Sequence, residues 1–348
     1  FDYREMIETL ELDAVTVSTP DHHHAVASLR AMRKGLHVYC QKPLTHTVHE
    51  ARVLAETARA KGVITQMGTQ NHEHEVSRQA FEILRAGAIG GVTEVHVITD
   101  RPGNWWKQGL ARPATTKPVP ENVHWDLWLG PAPERPYHDH LHPFHWRGWW
   151  DFGCGAVGDM AIHLMDLAVW ALKLDAPQRV TSRGSELLAE SGPLWMESIF
   201  EYGARGNMPP VKVHWWEGTA NLPEAIKKDL PMNGSLFIGE GGRLAVDHTK
   251  AWKLLPEAQF SAFKAPAPSL PPSAGHYAQW LDGIRRKKKA SCDFGDWAGP
   301  FTEQVLLANV AFRAGKTIEW DRATMSVKGL PEADRLIRKT YRKGWEVA

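Results

Sequence analysis

The sequence predicts an α/β protein of about two domains. A parallel sheet covered by helices comes first, followed by a second α/β domain with an open, mostly antiparallel or mixed sheet. Three observations carry this. Strands and helices alternate from residue 13 to 68, longer strand-like runs with period-two patterning begin near residue 92, and the length and composition suit a globular chain. With 348 residues, 43% hydrophobic, and 41 basic against 40 acidic side chains, it can bury a large core and has no basic excess to hold nucleic acid. No apolar run is long enough to cross a bilayer.

In chain order, DYREMIETL reads as a helix and LDAVTVSTP as a β-branched strand ending at Thr19 and Pro20. A helix over about 22–34, the strand HVYCQ (37–41), a helix over about 45–61 and the strand VITQMG (63–68) follow. Helical spacers of this length make the strands parallel. Ligands of such sheets sit beyond the carboxyl ends of the strands, so Thr19, Pro20, Gln41, Lys42, Met67 and Gly68 are expected on one rim, with Pro43 fixing the backbone where the chain leaves the sheet. A sheet of this kind normally opens with a strand and a glycine-rich turn. Neither precedes residue 13, so an upstream segment carrying that unit is expected. We divide the chain into residues 1–90, the remainder of the first domain, and 91–348, where VTEVHVITD, PVKVHWW and SLFIGEGGRLAVD supply the second sheet.

Gly153-Cys154-Gly155-Ala156-Val157-Gly158 matches G-x-G-x-x-G, but WRGWWDF before it is a poor parallel strand, so the glycines are not read as a dinucleotide turn. The helix they open carries Asp159, His163 and Asp166 at i, i+4 and i+7, one face of a regular helix. Such groups on an apolar helix need partners or a polar ligand, the plain alternative being that His163 is a satisfied core histidine. Around it lie Trp105, Trp106, Trp125, Trp128, Trp146, Trp149 and Trp150 with Arg112, Arg147 and His145, a set suited to stacking on sugar rings or to packing an interface. Histidines at 22–24, 72, 74, 138, 140, 142 and 145 have no zinc-site spacing, and no metal is expected. The basic run 285–289 reads as a solvated helix end, and Cys40, Cys154 and Cys292 form no disulfide framework.

STPDHHHAVASLRAMRKGLHVYCQKPL resembles the T-P-x-x-x-H, helix, G-K-H-V, E-K-P-L pattern of the Gfo/Idh/MocA oxidoreductases, and FGCGAVGDMAIHLMDLAVWAL resembles their glycine run followed by D-x-x-x-H-x-x-D. The resemblance spans nearly the whole chain. It implies a partial Rossmann-type domain holding NAD or NADP, with NAD favoured, joined to a substrate and oligomerisation domain. Carried over residue by residue, Lys42 matches the lysine that contacts the substrate hydroxyl, and Asp159 and His163 complete the acid/base set, with His163 the direct proton acceptor. Thr19, Pro20 and His24, with Gln41, Lys42 and Met67, fall on the nicotinamide side, and Trp105, Trp106, Arg147, Trp149, Trp150 and Asp166 on the substrate side. Gln41 stands where the family usually has Glu, which removes a carboxylate beside Lys42.

The expected function is oxidation of a secondary hydroxyl of a sugar, glycoside or cyclitol. The alternatives are glycoside cleavage through transient oxidation and elimination, and a non-catalytic sugar-binding relative. A homodimer or homotetramer without nucleic-acid or membrane partners is expected. Location is cytoplasmic by default, export being open if an upstream segment carries a signal.

Overall fold

The computed structural model describes residues 1–347. After helix α1 (Tyr3–Thr9), strands β1 (Ala14–Val17), β2 (His37–Gln41) and β3 (Thr65–Gly68) alternate with helices α2 (Asp21–Arg33) and α3 (Val48–Lys61) and pair in parallel in the order β1-β2-β3. The expected alternation is therefore present. Local chemistry explains the boundaries. Thr47 Oγ1 accepts the Glu50 N–H at 3.2 Å and Glu50 Oε2 accepts the Thr47 N–H at 3.0 Å, a capping box that delays α3 until Val48. Gly62, at φ +63°, ends the same helix in the left-handed region.

Helix α4 (Glu75–Arg85) leads into β4 (Val92–Thr99), and the larger sheet adds β5 (Arg179–Gly184), β6 (Met196–Tyr202), β7 (Val211–Glu217), β8 (Gly234–Gly239), β9 (Gly242–Asp247), β10 (Trp252–Leu255), β11 (Ile318–Asp321) and β12 (Ser326–Val327). Its order is β10-β9-β8-β4-β7-β6-β5-β11-β12, antiparallel throughout except for the parallel pair β4–β7, so it is mixed and mostly antiparallel.

Alternation along the strands sorts its two faces. Val95, Val97, Phe200, Val213 and Trp215 point into the main core, whereas Ile98, Trp216, Leu236 and Ala245 form a separate cluster under Leu222, Ile226 and Leu230. The helix Gly299–Ala314 is apolar almost all round because it packs against α3 on one side and β5 on the other. Truncating a side chain as enclosed as Leu307 to alanine removes about 2–5 kcal/mol.

Contacts cross the division placed at residue 90. The Met67 N–H donates to the Cys292 carbonyl at 2.9 Å and the Thr65 hydroxyl to Asp293 Oδ2 at 2.7 Å, so residues well inside 91–348 close the β3 side of the first sheet. Among the described residues no helix is long and apolar enough to cross a membrane.

Candidate active site

The strand ends build one wall of a cavity of about 470 Å³. Ser18, Thr19, Pro20 and Asp21 come from the β1–α2 turn, and Gln41 and Lys42 from the end of β2. His24, one helical turn into α2, ties the two together, its Nε2 donating to the Thr19 carbonyl at 2.8 Å and its Nδ1 to the Pro43 carbonyl at 2.7 Å. Two carbonyl acceptors require hydrogen on both ring nitrogens. Burial opposes that charge, but Cys40 and the two carbonyls outweigh it and raise the His24 pKa. His24 therefore acts by positioning the wall.

Lys42 meets the second constellation directly. Its Nζ donates to Asp159 Oδ1 at 2.6 Å and to the Asp159 carbonyl at 2.7 Å, and Arg147 Nε lies 3.4 Å from the same Oδ1. Burial pushes the Asp159 carboxyl up, yet Lys42, then Arg147 and His163, outweigh it and hold the group below its ordinary value. The far wall is aromatic: Trp128, His142, Phe144 and Trp146, with the Arg147 guanidinium 4.3 Å from the ring centroids of both Phe144 and Trp146. A polar strand rim facing aromatic rings suits a polyhydroxylated ring with one apolar face.

His163 stands beside this cavity rather than in its lining. Its Nδ1 is buried without a hydrogen-bond partner, and its ring packs edge-on to His248 with centroids 5.5 Å apart. Burial, the Lys42 cation and His248 all hold it well below the usual histidine range, so the ring is neutral.

Asp21 is a participant that the pattern reading passed over. As the first residue of α2 it is 4% exposed, its Oδ2 accepts the Cys154 N–H at 3.1 Å, and burial pushes its carboxyl up to about 7 against the pull of Lys42 and Arg147. Its signal was its place directly after Thr19-Pro20, at the strand end. Trp128 and Trp146 were visible as members of the tryptophan cluster, whereas His142 stood out only among the scattered histidines and nothing in the sequence marked Phe144.

Several expected members lie elsewhere. Met67 is fully buried, its sulfur accepting from the Thr302 hydroxyl, because β3 is covered by the returning chain. Trp106 and Trp149 are core side chains whose indoles donate to Gln108 Oε1 and the His140 carbonyl. Trp150 lines a different cavity, and Trp105, 55% exposed, stacks under Arg101.

Asp166 is also diverted. Residues Val157–Ala161 form a π-helical turn and a break follows at Met165, so the even i, i+4, i+7 stripe is lost. Asp166 lies outside the cavity lining, accepting from His72 Nδ1 at 2.9 Å and Trp297 Nε1 at 3.2 Å.

The glycines of the 153–158 run serve packing. A Cβ on Gly153 would lie 2.6 Å from the Arg147 Cα, and one on Gly158 would collide with Cys154 and crowd Pro43, so the run lets the Asp159 turn lie close against the strand rim. No strand precedes it, only the 3₁₀ turn His145–Gly148. Among the described residues two groups of metal-capable side chains occur, Glu94, His96 and His214 and then His138, Asp139 and His140, and neither includes a residue lining the cavity.

A parallel sheet whose strand ends present Lys42 to an aspartate of a second α/β unit, across from an aromatic wall, defines a two-domain α/β protein with a polar interdomain cavity. The chain belongs to the Gfo/Idh/MocA oxidoreductase family. Residues 1–69 match the oxidoreductase family's NAD-binding Rossmann fold and residues 75–202 its C-terminal alpha/beta domain. It is 23% identical over 168 residues to levoglucosan dehydrogenase of Pseudarthrobacter phenanthrenivorans, covering 48% of this chain and 35% of that protein. It is 34% identical over 90 residues to the NADP(+) D-xylose 1-dehydrogenase of Hypocrea jecorina, covering 26% of this chain and 23% of that one. The chain thus matches about a third or less of the length of these two curated relatives. The WlbA dehydrogenase of Bordetella pertussis, solved with NADH and UDP-GlcNAcA, superposes with a TM-score of 0.60 at 17% identity over 91% of this chain and 82% of that one, which is a likeness of fold.

Proposed function

We propose that this chain belongs to an NAD(P)-dependent oxidoreductase that oxidises a secondary hydroxyl of a sugar, glycoside or cyclitol, with Lys42, Asp159 and His163 as its acid/base set. The observation that carries the reading is the Lys42–Asp159 contact at 2.6 Å, formed between the rim of the parallel sheet and the second unit and facing a cavity with an aromatic far wall.

The residues present fit the nicotinamide end of the cofactor. Thr19 Oγ1 is buried at the end of the first strand without a partner, and Thr19, Pro20 and Gln41 line the cavity beside Lys42. When bound, the nicotinamide ring supplies the hydride acceptor. NAD is favoured over NADP.

The side chains divide the remaining work. Asp159 fixes the Lys42 ammonium, which donates to the substrate hydroxyl and stabilises the negative charge developing on its oxygen. The neutral His163 ring takes the hydroxyl proton. Arg147, steadied between Phe144 and Trp146, binds a neighbouring hydroxyl, and the rings exclude water from one face of the sugar.

The test uses protein expressed from the native gene. It is denatured, the supernatant is assayed for NAD(H) and NADP(H), and the native protein is then screened against pyranosides, polyols and glycosides for NADH or NADPH formation. Released nucleotide with steady NADH formation is expected. Glycoside cleavage without net NADH would instead favour the transient-oxidation reading, and no nucleotide, with none binding on titration, would overturn the redox reading.

A further inference from the structure

Behind the Gly153–Gly155 turn lies a second cavity, of about 260 Å³, that the proposed reaction does not use. Its walls come from the start of α3, the helix Gly299–Ala314 and the C-terminal segment around residues 335–340. Arg313, Arg335, Arg338 and Lys339 line it. Among the described residues the first three make no side-chain hydrogen bond or ion pair, while Lys339 is engaged with Glu50 Oε1 at 2.8 Å and His46 Nδ1 at 3.2 Å. The acid that lines the same cavity, Asp151, is held by Arg135 Nη1 at 3.2 Å. Trp150, 8% exposed, lines it as well, and its Nε1 is buried with no partner. The Arg313 guanidinium lies 5.3 Å from the Trp150 ring centroid.

A buried donor without an acceptor is unfavourable, and burial also weighs against the Arg313 charge, which Asp151 offsets only in part. Here the half-buried Arg313 and the Trp150 indole lie at the inner end of one cavity, the exposed Arg335 and Arg338 stand at its rim, and the single lining carboxylate is already paired. What completes the set is a small acceptor-only group with delocalised negative charge, matching the guanidinium fork. We propose that this cavity is a binding site for a small oxyanion, a phosphate group, held by Arg313, Arg335 and Arg338 with the Trp150 indole as a further donor. The site is separated from the Lys42 cavity by Cys154, which lines the former and donates its N–H to Asp21 in the latter. Cys154 thus belongs to the wall of one cavity and is hydrogen-bonded to a lining residue of the other.

The experiment follows thermal unfolding of the protein from its native gene, with saturating NAD present, in increasing inorganic phosphate against sodium chloride at matched ionic strength. A saturable rise in Tm specific to phosphate is expected, about 3 °C or more at a hundredfold excess over the half-saturating concentration. Arg335→Gln, on the exposed rim, and Arg313→Gln, at the enclosed end, each raise the half-saturating concentration at least about tenfold, as expected for loss of a charge-assisted contact. Should Arg313→Gln fail to fold, Arg335→Gln alone decides. Equal curves in phosphate and chloride overturn the proposal. So does an unchanged phosphate response in Arg335→Gln, which places the phosphate elsewhere, for instance at the pyrophosphate position of the cofactor. A citrate response that is lost in Arg335→Gln, without one to phosphate, overturns the phosphate assignment in favour of a carboxylate.

Discussion

Asp159 and Asp166 lie one short helical stretch apart, each beside a basic partner, yet they serve opposite ends. Asp159 holds Lys42 and Arg147 at the edge of an open cavity that Thr19, its Oγ1 unpartnered, also lines, with His163 Nδ1 buried and unpartnered beside it. Asp166 is closed in, 1% exposed, with His72 on one side, Trp297 on the other and the His72 ring stacked on Trp170 at 4.1 Å. In the first region charge is plentiful and some polar atoms still want a partner; in the second each carboxylate oxygen accepts a bond from a neighbour. A site for chemistry keeps unspent hydrogen-bonding capacity facing a void, and a structural knot does not.

The sharpest way to break this contrast is Lys42→Met. If Lys42 acts on substrate, turnover measured as NADH formation falls by about 10²–10⁴-fold, while Tm moves little because Arg147 still faces Asp159. A large fall in Tm with turnover per folded molecule retained would make the Lys42–Asp159 pair structural and erase the difference between the two regions.

His72→Gln tests the other side. Burial works against the His72 charge, but Asp166 and then Cys292 hold its pKa well above the ordinary value, so the ring is an imidazolium paired with a buried carboxylate. Removing one member of such a pair costs about 3–5 kcal/mol, which lowers Tm by roughly 6 °C or more. The surviving folded protein is expected to keep its KM and kcat, read by calorimetry and steady-state kinetics on one sample.

Both outcomes bear on how far the sequence could be read. The strand–helix alternation and the rim position of Lys42, Thr19, Pro20 and Gln41 were legible because they depend on periodicity and on where ligands sit in parallel sheets, whereas the pairing of Lys42 with Asp159 was implied by the family resemblance alone. Asp166 falls outside the cavity lining, a placement the sequence does not show because a π turn cannot be seen in residue spacing that suits a regular helix equally well. Met67 lies outside the cavity lining because the segment covering β3 returns from more than 200 residues along the chain, a long-range contact that local patterns do not encode. The tryptophans were correctly seen as a cluster, but which of them face a void depends on the loop path between β4 and the Asp159 turn.

Asp21→Asn sharpens the comparison through pH. The unfolded carboxyl titrates near 3.8 and the folded one at about 7, so between these values the native state binds more protons than the unfolded state. Its contribution to stability is whole below the lower value and is lost as pH rises through the upper, with a slope of at most about 1.4 kcal/mol per pH unit. Asp21→Asn is expected to flatten the stability profile between pH 4 and 7 relative to the wild type, read by chemical denaturation at a series of pH values. The His72–Asp166 pair also has a raised pKa, but its loss of stability lies above the ordinary histidine value of 6.5, so the two regions separate along the pH axis. An unaltered slope in Asp21→Asn would mean that Asp21 is ionised throughout and that the cavity holds its charge at no cost.

The smallest effect is expected at Trp105, which belongs to neither region. It is 55% exposed, and its chief contact is the Arg101 guanidinium 3.4 Å above its ring, an exposed cation–π pair worth about 0.5–1 kcal/mol. Trp105→Ala should therefore lower stability by no more than that and leave KM for the sugar unchanged, whereas Trp146→Ala, which removes a wall of the cavity and one of the two rings steadying Arg147, should raise KM. The two variants measured side by side ask whether exposure or cluster membership decides which ring meets substrate. A rise in KM for Trp105→Ala equal to that of Trp146→Ala would show that the Arg101–Trp105 segment closes over the cavity when sugar is bound, and the aromatic wall would then extend beyond the rings that face it here.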